Sequence, residues 1–356
     1  MKKAFLFSAA TLSLLASCSN DEVIDSAKSR AIGFMVSADH TTMTRATESN
    51  DYTSTNLPRA IAVYAKTWKP GSGVMNNLFA NLIVNNNNSA WEYSPLQYWT
   101  AGNNYRFSGF APAVSGVVSK VGWTFAPNDT YTANMAELFG AGVITYDNAS
   151  VEAQQDFVYA FQKVENAATN QSPVAFQFKH MLSRVRFQFE NQIAAGTIYF
   201  KIQNVKITNA ISGATLDVTH QNPVWTPVAG SAFTANFATA ADQQQIGYDG
   251  IITTEHSYLI PNEDADSEAV YNVTFDIVTY TFSSIDDAYI AGNTYHKTAT
   301  IKQVPMQKGY SYSYKAAITT ENIADEEIKP IEFTVAVENW QDWGQSTDMG
   351  NVDPKN

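Results

Sequence analysis

The chain is predicted to be all-β, built as two antiparallel β-sandwich domains in tandem, and three observations carry that prediction. Apolar side chains recur at every second position in many short runs, the period of a half-buried strand rather than a helix. Turn residues split those runs at short intervals, which favours antiparallel sandwiches over βαβ units. Tyr (18) and Phe (20) are abundant while only 16% of the 356 residues are charged, a composition that suits strands and polar turns. The hydrophobic fraction of 45% is enough to fill two cores.

Taken in order, Met1-Lys2-Lys3, an apolar run from Ala4 to Leu15 and Ala16-Ser17 form a secretory signal over residues 1–17. Leu15-Ala16-Ser17-Cys18 matches the bacterial lipobox, so Cys18, the single cysteine, is expected to become an acylated first residue. An exposed unpaired thiol would otherwise be out of place in an oxidising compartment. Acyl chains contribute about 0.8 kcal/mol per buried CH₂, enough in combination to hold a protein to a membrane without a spanning helix. Residues 18–30 are a polar tether, and Ser19-Asn20-Asp21-Glu22 resembles signals that send lipoproteins to the outer face of the outer membrane.

The first sandwich is assigned to residues 31–170. Ile32, Phe34, Val36 and Ala38 alternate with Gly33, Met35 and Ser37 and predict a short strand. Asp39 to Leu57, rich in Thr, Ser and Asn, predicts an exposed loop that holds Thr44-Arg45-Ala46-Thr47. Ile61 to Ala65 is the next strand, and Asn85 to Ser89 a turn. Tyr98 to Pro112 predicts a strand, a turn at Gly102 and an alternating strand in which Tyr105, Phe107 and Gly109 share a face. Ala133 to Phe139 fits a short helix, and Asp156 to Phe161 is the closing strand.

The second sandwich is assigned to residues 171–356. It opens on Phe176 to Phe189, where Phe176, Phe178, His180 and Leu182 share one phase and Val185, Phe187 and Phe189 the other. A one-residue slip turns every side chain over unless an extra residue is absorbed, which predicts one long strand with a bulge at Ser183–Arg184. Further strands are expected at 198–202, 205–207, 215–218, 258–260, 271–280 and 310–316. A last one carries Ile331, Phe333, Val335 and Val337, with Trp340 and Trp343 beyond it.

Catalytic chemistry finds no support. The five histidines are scattered, with no His-x-x-x-His pair and no cysteine partners, so neither a metal site nor a triad is expected. No cofactor is implied, and the chain is read as a non-enzyme. His180 on an apolar strand face is read as a satisfied core or edge histidine. Asp264-Ala265-Asp266-Ser267-Glu268 begins like a calcium loop but lacks the glycine and distal glutamate, leaving a solvated acidic turn. A net charge of −12 makes nucleic acid a poor partner. Trp68, Trp91, Trp99 and Trp123 offer the alternative of a monomeric surface lipoprotein that stacks glycans on aromatic platforms.

The string Phe178-Lys179-His180-Met181-Leu182-Ser183-Arg184-Val185-Arg186-Phe187 resembles the hallmark strand of bacterial fimbrillin-like surface lipoproteins. Asp156-Phe157-Val158-Tyr159-Ala160 resembles an element that precedes it, and the order of motifs from lipobox to Trp340 agrees. The resemblance implies two transthyretin-like domains and a stalk, anchor or tip subunit of a short adhesive pilus, placed at the cell surface as an outer-membrane lipoprotein. It implies donor-strand exchange: a protease cuts after an arginine in the loop following the first strand, here Arg45–Ala46. Ile32, Phe34 and Val36 then leave with the lipid, and a strand of the next subunit fills the groove. The partners implied are other fimbrial subunits, outer-membrane lipid through Cys18, the processing protease and an adhesion target. The tail beyond Trp343 is polar and has no second alternating strand, so either Ile331 to Val337 is the donated strand or the chain receives without giving.

Overall fold

The computed structural model describes residues 30–36, 52, 57–87, 90–113, 118–122, 143–147, 155–193, 198–218, 223–230, 232–239, 245–263, 270–302, 305–324 and 330–340. Cys18, Arg45, Ala46, Trp123, the expected helix at 133–139 and the acidic run 264–268 lie outside the described residues. Nearly all the regular secondary structure among the described residues is strand, with one helix, α1 (Thr320–Ala324).

The first half builds a six-stranded antiparallel sheet. Its order is β10 (Lys179–His180), β8 (Val158–Val164), β5 (Asn104–Ala111), β2 (Ala60–Trp68), β3 (Asn76–Asn87) and β4 (Ala90–Glu92). Alternation along β2 sends Ile61, Val63 and Ala65 to one core and Ala62 to another, so this sheet is buried on both faces. On the first face lies a parallel pair, β1 (Phe34–Val36) with β9 (Val174–Phe176). On the second lies a four-stranded sheet of β14 (Val224–Pro227), β13 (Gly213–Asp217), β7 (Val143–Asp147) and β6 (Val118–Gly122). That sheet draws on both halves of the chain. β7 from the first pairs with β13 from the second, from Gly213↔Asp147 to Asp217↔Val143.

The rest of the second half is a sandwich of two sheets around its own core. One has the order β16 (Ile251–Thr253), β11 (Ser183–Asn191), β20 (Tyr310–Ile318) and β21 (Thr334–Asn339), with β17 (Ser257–Leu259) also pairing β11. β11 and β20 run parallel; its other pairs are antiparallel. The other sheet has the order β15 (Ala232–Phe237), β12 (Tyr199–Ile211), β18 (Val270–Ser283) and β19 (Ala288–Lys302), all antiparallel. Val185, Phe187 and Phe189 from β11 meet Ile202, Phe275 and Ile277 across the gap.

The expected single bulged strand from Phe176 to Phe189 is corrected. The stretch is three strands, β9, β10 and β11, and the slip of phase marks a change of core. Phe176 and Phe178 fill the first core, Met181 and Leu182 a middle one, and Val185 to Phe189 the last. The crossing is tied down on several sides. The Met181 amide donates to Phe157 O at 2.8 Å, the Gly309 amide to Leu182 O at 2.8 Å, and Trp225 Nε1 to Met181 O at 2.6 Å.

Two smaller corrections follow the same logic. Asn85 to Asn87 continue β3 and pair with Glu92 to Ala90 instead of turning. The two strands expected at 198–202 and 205–207 are one, β12, with an irregularity between Gln203 and Lys206 where Asn204 takes φ +54°. The expected glycine turns are present: Gly102 and Gly309 take φ of +77° and +76°, a region that a Cβ disfavours, just before β5 and β20.

Candidate functional site

Residues 30–36 are the piece that closes the first core. Ile32 and Phe34 are buried there and Val36 is packed against it, while Met35, one position out of phase, is 50% exposed. The backbone is held along two edges. On one, the Ile32 amide donates to Gln97 O at 2.8 Å and the Trp99 amide to Arg30 O at 3.1 Å, around an antiparallel bridge Ala31↔Tyr98. On the other, the Arg30 amide donates to Thr169 O at 2.7 Å and the Val174 amide to Gly33 O at 2.8 Å, leading into the parallel register with β9. The Tyr93 hydroxyl donates to Ile32 O at 2.8 Å.

Phe34 is the hub of this closure. Its ring contacts those of Phe79, Tyr93, Phe107 and Phe176 at centroid separations of 6.0, 5.6, 6.3 and 5.8 Å. Phe176 in turn lies over Gly109, where a Cβ would come within 3.0 Å of the ring. The shared face of Tyr105, Phe107 and Gly109 therefore ends in a glycine because a ring occupies the side chain's place. Without residues 30–36, the segments 97–99 and 169–176 would present unpaired backbone groups flanking an apolar trough.

A second cluster holds Tyr52, which lies within the stretch 39–57 expected as an exposed loop and is itself buried. Asp156 is fully buried and accepts from the Tyr52 amide at 3.0 Å and from His180 Nδ1 at 2.8 Å. Trp340 stacks on the His180 ring at 3.9 Å, and the Arg184 guanidinium lies 4.8 Å over Trp340. His180 is thus the satisfied, buried histidine that its apolar face implies. Burial, with the Asp156 charge adding to it, pushes the Tyr52 phenol well above its ordinary range. The elements read separately around Asp156 and His180 meet here with Tyr52 and Trp340, a junction that sequence spacing does not reveal.

Ile331, Phe333, Val335 and Val337 lie at the far end of the second sandwich. Val335 and Val337 pair with Tyr314 and Tyr312 in the β20–β21 ladder, and Phe333 sits 5.4 Å from Phe187, 5.9 Å from Phe189 and 6.3 Å from Phe275. Ile331 is buried in the same core. The strand occupies the edge of its own sheet, anchored beyond its end by the Trp340 amide donating to Gly309 O at 2.7 Å. The glycan platform is corrected at two positions: Trp68 and Trp99 are core residues, each 1% exposed, and Trp91 packs against the first core. Among the described residues no group of three or more His, Cys, Asp or Glu is placed to hold a metal ion.

A sequence model of a family described as fimbrillin-like matches residues 44–340. No curated protein matches the chain in sequence. The chain is similar in fold to the crystal structure of a fimbrial protein from Bacteroides vulgatus, with 17% identity and a TM-score of 0.62 over 88% of this chain and 100% of that one. It also aligns with the fimbrial anchor protein Mfa2 from Porphyromonas gingivalis at 9% identity and a TM-score of 0.39, over 88% of this chain and 98% of that one.

Proposed function

Because the chain belongs to the fimbrillin-like family, we propose that it is a structural subunit of a short adhesive fimbria, exported as a lipoprotein and assembled by proteolysis-triggered strand exchange. Acylated Cys18 anchors it in the outer membrane at the cell surface. Cleavage at Arg45–Ala46 then separates the lipid and β1 from the body.

The observation that carries this is the seat of residues 30–36, a short segment that closes the first core and is bonded along both edges. Burying side chains of this kind stabilises by about 1.5–3 kcal/mol each. While the chain is intact that modest sum suffices, because the segment is tethered and its effective concentration is high. Once Arg45–Ala46 is cut, the same contacts must hold a dissociable peptide, and an apolar strand of another subunit competes for the trough by backbone pairing. Tyr52, held on Asp156, keeps the new N-terminal end of the body in place.

The candidate donor is Ile331 to Val337, with Phe333 at its centre. Its packing on Phe187 and Phe189 would be lost on donation, which favours an anchor or tip subunit that receives a strand without giving one. N-terminal sequencing of protein released from the cell surface tests the proposal. A chain beginning at Ala46 is expected, together with ladders on mildly heated gels that vanish in Arg45→Ala. A chain that begins only at Cys18 would overturn it.

A further inference from the structure

The β18–β19 hairpin outruns the sheet that holds it. Among the described residues β12 pairs with β18 only as far as Tyr199↔Tyr280, and beyond that point the hairpin is a ribbon of two strands. Exposed apolar side chains stand on it: Phe282 and Tyr289, whose rings contact each other, Ile290 at 52% exposure and Ile285, in the turn, at 94%. A two-stranded ribbon gains little stability alone. β19 is also the end strand of its sheet. Every residue from Ala288 to Thr294 is exposed, and none is charged or a proline. Exposed edges normally carry lysine or proline that discourages pairing. Lys297, further along the strand, points inward and donates to Ile323 O at 3.0 Å, but over Ala288 to Thr294 the device present is a bulge opposite Thr279, whose Oγ1 bonds Asn293 N and O at 3.1 Å each; it twists the edge, and no other described strand pairs with it.

We propose that the β19 edge is the docking surface for a second copy of this chain, the two β19 strands pairing antiparallel about a two-fold axis at Tyr295. Charge selects that occupant. Asp286 and Asp287 precede the strand and Lys302 ends it, and all three are exposed. Antiparallel alignment along the full strand lays the acidic turn of each copy beside Lys302 of the other, and symmetry makes the contact twice. Between them, Lys297 would face Asn293 and His296 would face Thr294, so two chains of net charge −12 come together with no like charges opposed. The two sheets become one, and the overhanging ribbon gains a third strand. The surface lies apart from the trough under β1, so pairing occurs whether or not the chain has been cut.

Sedimentation equilibrium of the full, uncut chain tests this independently of processing. A reversible monomer–dimer equilibrium is expected. Ile290→Lys combined with Thr294→Lys should weaken it at least about tenfold by placing like charges along the seam. Asp287→Lys alone, or Lys302→Asp alone, should each raise the dissociation constant by about threefold to tenfold, and the two together should restore it. These positions are exposed, so circular dichroism of each variant should match that of the parent. A chain that stays monomeric, a dimer indifferent to the lysine pair, or a charge exchange that restores nothing would each overturn the proposal.

Discussion

The Phe34 ring lies nearly parallel to that of Phe176, 5.8 Å between centroids and 5° between planes, although in the β1–β9 register Phe34 faces Val174 and Phe176 faces Val36. The diagonal stack adds a side-chain tie to the backbone bonds that hold the short N-terminal strand to the body along two edges. Phe34→Ala should therefore cost the uncut chain about 3–5 kcal/mol in urea unfolding. In a chain cut as proposed the same substitution should change nothing, since the proposal has the strand leave. Equal effects in both forms would show that β1 remains in place.

Gly109 tests the other side of that stack. A methyl at this position meets the Phe176 ring at 3.0 Å, and a ring packed between Phe34 and Phe178 has little room to retreat. Gly109→Ala should destabilise by about 1–3 kcal/mol through overpacking. It should also speed hydrogen exchange in residues 174–176, measured by mass spectrometry. A neutral outcome would mean that Phe176 has another place to go.

Asp156 and His180 form a buried pair, His180 Nδ1 lying 2.8 Å from Asp156 Oδ2. Asp156→Ala removes the acceptor of both the Tyr52 amide and the His180 ring, and should cost about 3–5 kcal/mol. Trp340 stacks on that histidine, so its fluorescence should change in the same variant under native conditions. Loss of stability with an unchanged tryptophan signal would separate the two effects.

Several tyrosines set an alkaline limit. Burial pushes the Tyr312 phenol up to about 12, and raises those of Tyr159, Tyr271 and Tyr314 further. The unfolded chain ionises near its ordinary value of about 10, while the folded chain resists. The stability these groups contribute is full below that value and falls as pH rises through the folded pKa. Unfolding should set in above about pH 10, with their absorbance change coincident with loss of circular dichroism. Phenols that titrate in an intact fold would contradict their burial.

Much of the fold is legible in residue order wherever a strand has one wet and one dry face. β18 and most of β20 declare themselves by alternation, β2 and β5 are buried on both faces and show instead as short apolar-rich runs, and Gly102 and Gly309 mark where β5 and β20 begin. β19 does not declare itself, because its first half is exposed on both faces and carries Asn, Thr and Ala where a core strand would carry Val or Phe, and β3 does not, because Asn76, Asn77, Asn81 and Asn85 to Asn87 break up its apolar positions. The run from Phe176 to Phe189 is ambiguous for a different reason. A one-residue slip describes a bulge and a change of core equally well, and only the distant partners Phe34, Trp225 and Phe275 decide between them. Of the candidate site, the alternation of Ile32, Phe34 and Val36 is written in the chain, whereas the two edges that hold it come from residues far away in sequence.

The ladder between β7 and β13 bears on how the molecule carries load. A pull applied at opposite ends of the chain does not pass through the covalent turn at Met181–Leu182 alone, since Val143–Asp147 and Gly213–Asp217 run side by side across the same divide. Parting the halves means breaking a row of lateral bonds as well as straightening a link. Stretched singly in a force spectrometer, the protein should therefore resist as one body before either half yields.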